Sequence, residues 1–125
     1  MAITGLDHYA LLTSDVERTT RFYTEVVGLE VGYRPELTFS GVWLYAGGEP
    51  IVHIIAGKPI PGIETGAVDH LALKATGDVE AALTRLKARS VEYTMRKLER
   101  TGVTQVFFRD PDGVGVELNF APEKN

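Results

Sequence analysis

The chain contains no cysteine, which removes disulfides, thiolate metal sites and cysteine nucleophiles together, so any metal site has to be built from His, Asp and Glu. It also has no apolar run approaching the roughly 20 residues that a bilayer span requires. Its N-terminus, MAITGLDHYALL, shows no basic lead-in followed by an apolar core. A cytoplasmic location with no membrane partner is therefore expected. Basic charge is not in excess: 13 Lys and Arg stand against 17 Asp and Glu, which argues against a surface built for the phosphate backbone, and no nucleic-acid partner is expected. No Gly-rich phosphate loop is present, because Gly47-Gly48 joins two strand patterns rather than opening a helix, and no Ser-His-Asp arrangement stands out.

What the chain does have is a repeated pattern. With 125 residues, 44% of them hydrophobic, one domain with a real core is expected over residues 1–125. Leu6, His8, Ala10 and Leu12 alternate with Asp7, Tyr9 and Leu11, which predicts a strand within Ile3 to Leu12. Ser14 is then read as an N-cap with Glu17 in the capping-box relation, followed by a helix stopped at Gly28. Leu29 to Phe39, Gly41 to Ala46 and Ile51 to Ala56 read as strands, broken by Ser40-Gly41 and by Gly47-Gly48-Glu49-Pro50. The first module, residues 1–56, is thus β-α-β-β-β. Gly57 to Gly66, with three glycines and two prolines, reads as a linker.

The pattern then restarts over residues 67–125. A strand is expected over Ala67 to Ala75, a helix over Asp78 to Arg89, and strands over Val91 to Leu98, Val103 to Phe108 and Val114 to Phe120, the last preceded by an Asp110-Pro111-Asp112-Gly113 turn. Asp7-His8 falls on Asp69-His70, Asp15-Val16-Glu17 on Asp78-Val79-Glu80, and Val52-His53-Ile54 on Val116-Glu117-Leu118. Two copies of one supersecondary unit follow, expected to place equivalent strands about a pseudo-twofold axis.

All three histidines and one strand-embedded glutamate occupy repeat-equivalent positions: His8 and His70 open their modules, and His53 and Glu117 lie in the closing strands. A single histidine in an apolar strand is more often a core residue than a ligand. The joint pattern points instead to a metal site, because a buried Glu117 between Val116 and Leu118 needs a partner for its charge. If the modules pack with first and last strands side by side, the four side chains converge on one concave face. Three imidazoles with one carboxylate, or two with one carboxylate, suit a divalent Zn, Ni, Co, Mn or Fe ion.

Phe22-Tyr23 has helical spacing and reads as core. Trp43, Tyr45 and Phe108 lie on strands, facing either a cavity or a covering helix. Arg34, Arg96, Lys97, Arg100 and Arg109 read as solvated basic residues rather than as an anion site.

The paired modules, with LDHYALLTSDVERTTRFYTEVVGLEVGYR, VDHLALKATGDVEAALTRLKARSVEY and TQVFFRDPDGVGVELNF, resemble the vicinal oxygen chelate superfamily, the group of glyoxalase I, fosfomycin- and bleomycin-resistance proteins, methylmalonyl-CoA epimerase and extradiol dioxygenases. The resemblance covers nearly the whole chain. It implies an α+β fold of two βαβββ modules forming a cupped mixed β-sheet with helices outside, in a homodimer. It also implies a divalent metal ion on His8, His53, His70 and Glu117. Glyoxalase I carries glutamate at the fourth-strand position and the epimerase glutamine, whereas this chain has His53 there. That leaves Glu117 as the carboxylate base of a glyoxalase-type reaction, and His53 as a fourth ligand or an acid/base. The activity expected from the resemblance is that of a metal-dependent lyase or isomerase. Such an enzyme binds a small substrate through vicinal oxygens and stabilises an enediolate-like intermediate. An Fe(II) extradiol-type dioxygenase and a non-catalytic drug-binding resistance module are the alternatives.

Overall fold

A computed structural model describes residues 1–60 and 68–122. The chain divides into two compact units, Met1–Ile60 and Pro61–Asn125. Residues 61–66 of the expected linker and the start of the expected strand at 67 lie outside the described residues.

The first unit runs β1 (Tyr9–Thr13), α1 (Val16–Phe22), a π-helical turn (Tyr23–Val27), β2 (Glu30–Gly32), β3 (Gly41–Ala46) and β4 (Glu49–Ala56). The second runs β5 (His70–Ala75), α2 (Val79–Ala88), β6 (Tyr93–Lys97), β7 (Thr104–Arg109) and β8 (Gly115–Phe120). Each forms a four-stranded mixed sheet, ordered β1-β4-β3-β2 and β5-β8-β7-β6. In both, the first and last strands are parallel and the rest antiparallel. The fold class is α+β, as expected.

Period-two alternation decides which residues each sheet buries. In the first, Leu11, Leu44, Val52 and Ile54 are buried, while Ala10, Trp43 and His53 form a row on the other face. In the second, Leu71, Val106, Val116 and Leu118 are buried, and Ala72, Glu117 and Phe107 form the row opposite. The repeat holds in register: Ala10 pairs with His53 as Ala72 pairs with Glu117.

Asp15, not Ser14, caps α1: its carboxylate accepts from the backbone N–H of Arg18 at 3.1 Å, while Ser14 Oγ accepts from Arg18 Nη2. Asp78 caps α2 in the same way through Glu80 N. The first helix does not remain α-helical to Gly28. The N–H groups of Gly28 and Leu29 both donate to the Tyr23 carbonyl, at 3.0 and 2.9 Å, and the widened turn carries Tyr23 and Val26 into the core. Phe22 and Tyr23 meet edge to face and are buried, as their spacing predicts.

The expected strand Leu29 to Phe39 is cut to three residues. Pro35 brings no N–H, the Tyr45 hydroxyl donates to the Tyr33 carbonyl at 2.6 Å, and Arg34 Nη2 donates to the Phe39 carbonyl at 2.7 Å, so these groups close a loop instead of extending a ladder. The β3–β4 turn is tighter than expected. Gly47 and Gly48, both at positive φ, form it alone, and Glu49 and Pro50 join β4. Between Leu44 and Tyr45 the register shifts: Tyr45 pairs with Pro50 and Leu44 with Val52, which makes Ile51 a bulged residue.

Candidate metal and substrate site

In the second unit, Glu117 is 6% exposed, yet among the described residues no Lys or Arg bridges it. Its Oε1 lies 3.1 Å from His70 Nε2. Its Oε2 accepts from Asn119 Nδ2 at 2.6 Å and from Gln105 Nε2 at 3.3 Å. The Gln105 amide is oriented from behind: its Oε1 accepts from Arg96 Nε and Nη2 at 3.1 and 2.9 Å, which turns its N–H groups toward Glu117 and Asn119. Arg96 also lies over Phe107, 5.6 Å from the ring centroid, and Phe107 meets His70 edge-on at 6.2 Å. Gly115 pairs with His70 across the parallel ladder, and a Cβ there would fall 2.7 Å from the Asp69 carbonyl and 2.9 Å from His70 Cβ. The bare backbone is what lets β8 pass so close to the histidine.

In the first unit, three rings stack: His8 on His53 with centroids 3.8 Å apart and 13° between planes, and His53 on Trp43 at 3.9 Å and 6°. His53 Nε2 lies 3.1 Å from the Pro50 carbonyl. A carbonyl only accepts, so Nε2 carries the proton and Nδ1 the lone pair. Burial, with His8 beside it, holds the His53 pKa below the usual imidazole value against the opposing pull of the Pro50 carbonyl.

His8 and His70 share one further contact. Each has Nδ1 2.7 Å from a carboxylate oxygen of the preceding residue, Asp7 and Asp69. In each contact the carboxylate accepts, so Nδ1 carries a proton and Nε2 is the nitrogen turned away from it.

The structure thus brings the four expected residues together as two pairs, His8 with His53 and His70 with Glu117. Among the described residues no three His, Asp or Glu side chains are gathered as a metal-holding group. The donor chemistry nevertheless suits a divalent cation. With Nδ1–H given to Asp69, His70 turns Nε2 toward a buried carboxylate oxygen, and only a positive charge there, a proton or a metal ion, makes that pairing favourable. Nitrogen and oxygen donors of this kind are those of Zn, Mn, Fe, Co and Ni sites.

Sequence reading leaves Trp43 undecided, and it proves to face His53. It misses Gln105 and Asn119 altogether. Their signal is alternation: each lies two residues from Phe107 or Glu117 and so shares their face. Of the basic candidates, Arg34, Arg96 and Arg109 are held by Phe39, Gln105 and Gly113 respectively. The Asp110 to Gly113 segment is a turn, with Asp110 Oδ1 accepting from the N–H groups of Asp112 and Val114.

Comparison with known proteins places this arrangement. The Arabidopsis thaliana protein Glyoxylase I 4 is 31% identical over 125 residues, covering 93% of this chain and 70% of its own. The fosfomycin resistance protein FosX of Listeria monocytogenes, solved as a variant with Mn(II) and 1S,2S-dihydroxypropylphosphonic acid, is similar in fold. Its TM-score is 0.76 at 23% identity, over 96% of this chain and 94% of that one. TnmS3, an antibiotic-binding protein from Streptomyces sp. CB03234, gives a TM-score of 0.71 at 26% identity, over 97% and 98%. Residues 5–118 match the family model of the glyoxalase/bleomycin resistance protein/dioxygenase superfamily. The duplicated βαβββ units are therefore those of a member of that superfamily, to which this chain belongs.

Proposed function

We propose that the protein is a metal-dependent enzyme of the glyoxalase-like type, a lyase or isomerase acting on a small substrate held through two neighbouring oxygens. His8, His70 and Glu117 are the proposed ligands of one divalent ion, with His53 as a fourth ligand or an acid/base. The observation that carries this reading is the His70–Glu117 pair: a buried carboxylate oxygen 3.1 Å from one imidazole nitrogen, the other nitrogen being held by Asp69. The Mn(II) in the FosX complex and the name of the Arabidopsis relative support it.

A bound divalent ion supplies Lewis acidity toward the vicinal oxygens. The chain's own groups have separable tasks. Gln105 and Asn119 anchor Glu117 Oε2, which leaves Oε1 as the oxygen that binds a cation or accepts a proton from the substrate carbon. Because the carboxylate is buried, bulk water is kept from Oε1. His53, with Nε2–H given to Pro50, has only Nδ1 left for a cation or for a proton. The homodimer implied by the resemblance is carried forward on the same footing, and light scattering on the eluting protein reads it.

The test is elemental analysis of the purified protein, before and after reconstitution with Zn²⁺, Ni²⁺, Mn²⁺ or Fe²⁺. About one ion per chain is expected, lost in His70→Ala and Glu117→Ala with circular dichroism unchanged. Turnover of a methylglyoxal–thiol hemithioacetal then identifies the lyase, and oxygen uptake with a catechol under Fe²⁺ would reassign the protein as an extradiol-type dioxygenase. No metal uptake together with tight drug binding would overturn the enzyme reading in favour of a binding module.

A further inference from the structure

We propose that Arg34, with Lys58, is a specificity-determining pair that takes an oxyanion, a carboxylate or a phosphonate-type group, of a ligand lying along the His53–Trp43 face of the first unit. The proposal rests on the functional reading only in making that ligand the substrate.

Arg34 has a counterpart in the second unit. It follows Gly32 as Arg96 follows Thr94, and in the ladders Gly32 faces Trp43 as Thr94 faces Phe107. Gly41 therefore stands in the first unit where Gln105 stands in the second. There the Gln105 amide oxygen accepts from Nε and Nη2 of Arg96, at 3.1 and 2.9 Å. Glycine offers no such oxygen. Arg34 gives Nη2 to the Phe39 carbonyl, and its Nε is buried with no hydrogen-bond partner, so it is not the freely solvated residue that its sequence context suggests. A buried guanidinium N–H without an acceptor is costly. An anionic oxygen in the place of the Gln105 amide satisfies it and adds a charge-assisted bond.

Lys58 brings a second cation to the same place: Arg34 Cζ and Lys58 Nζ lie 5.3 and 5.7 Å from the Phe39 ring centroid. Among the described residues neither has a carboxylate partner, in a chain richer in acidic than in basic residues. Phe39 is 39% exposed, so the ring that covers the two cations belongs to the loop before β3 and not to the core. A Cβ at Gly41 would fall 3.4 Å from Arg34 Nη2, which puts the guanidinium against β3. Gly41 and Trp43 share one face, with Ile55 and His53 beside them on β4. The cation thus lies one same-face position, about 7 Å, along the strand from the ring stack.

The experiment is titration of the ¹⁵N-labelled full chain with methylphosphonate and, separately, with acetate. Ionic strength is held constant, and a chelator is present so that neither probe binds through a metal. Saturable shifts of the Arg34 Nε–H and Trp43 indole N–H resonances are expected with at least one probe, and the tighter probe identifies the group. Arg34→Ala should weaken binding by about 10-fold or more, the loss of a charge-assisted bond, and Lys58→Ala by less. Arg34→Lys keeps the charge but not the fork, and should recover only part of that loss. Lys87→Ala makes the same charge change on α2 and should leave binding unchanged. Circular dichroism checks folding; if Arg34→Ala unfolds, Arg34→Lys and the wild-type shifts decide. No saturable shift with either probe, or equal losses in Arg34→Ala and Lys87→Ala, would overturn the proposal and leave the metal reading untouched. Saturable, Arg34-dependent binding in a chain that takes up no metal would uphold the anion site and overturn the functional reading alone.

Discussion

The two units share strand order, register and the Asp-His pair, and they part company at one position in the closing strand. In the first unit that position is His53, clamped between two rings with its Nε2 satisfied by a carbonyl. In the second it is Glu117, buried, 3.1 Å from His70 Nε2 and held by two amides. At that position one unit carries an imidazole satisfied by a carbonyl and the other a buried carboxylate. The difference shows that a shared backbone places the donors while the closing-strand residue decides how much charge the site concentrates.

The largest effect expected from breaking this comparison is in metal binding. Glu117→Ala should lower divalent-ion affinity by more than about 100-fold, since it removes the only charged donor of the proposed set. His53→Phe keeps the stack but removes Nδ1, and should cost about 10-fold, the lower end of the range for a group that orients a ligand. Chelator-competition titration measures both, and equal losses would erase the distinction between the units.

Next comes Gly115→Ala. The added methyl meets the Asp69 carbonyl and His70 Cβ, so a stability loss of about 1–3 kcal/mol is expected from overpacking. It should be accompanied by displaced His70 ring resonances, while those of His8 stay where they are. Urea unfolding and the ring spectra check the two halves of that statement.

Gln105→Leu removes one donor to Glu117 Oε2 and the acceptor for Arg96. A stability cost of about 1 kcal/mol is expected, with a weakening of metal affinity of about 10-fold. The smallest effect tests sameness instead of difference. Asp15→Ala and Asp78→Ala each remove an N-cap and should cost about 1 kcal/mol apiece by chemical denaturation, with neither changing metal content.

The strands, the helix positions and the four candidate residues are legible in the sequence because alternation and the doubled Asp-His pair are properties of spacing. What is not legible is contact. Gln105 and Asn119 read as ordinary polar strand residues until Glu117 is seen between them. Asp7 and Asp69 read as outward-facing, because neighbours on a regular strand diverge, and only the irregular backbone at the strand start reverses this. The short β2 follows from Tyr45 and Arg34 capturing loop carbonyls over distances of 12 and 5 residues, which no local pattern announces. The π-helical turn is equally hidden, since it shifts one hydrogen-bonded ring without altering the apolar spacing that predicts the helix.

The bulge at Ile51 has the character of a reading frame. Tightly turned at Gly47-Gly48, β3 and β4 would otherwise pair Trp43 with Val52, a residue of the opposite parity. The single extra residue restores phase, so that Trp43 meets His53. Deleting Ile51 would remove the bulge and still leave Trp43 opposite His53, whereas a regular ladder that kept Ile51 would put Trp43 opposite Val52 and His53 on the other face, a change of pairing equivalent to erasing the ring stack.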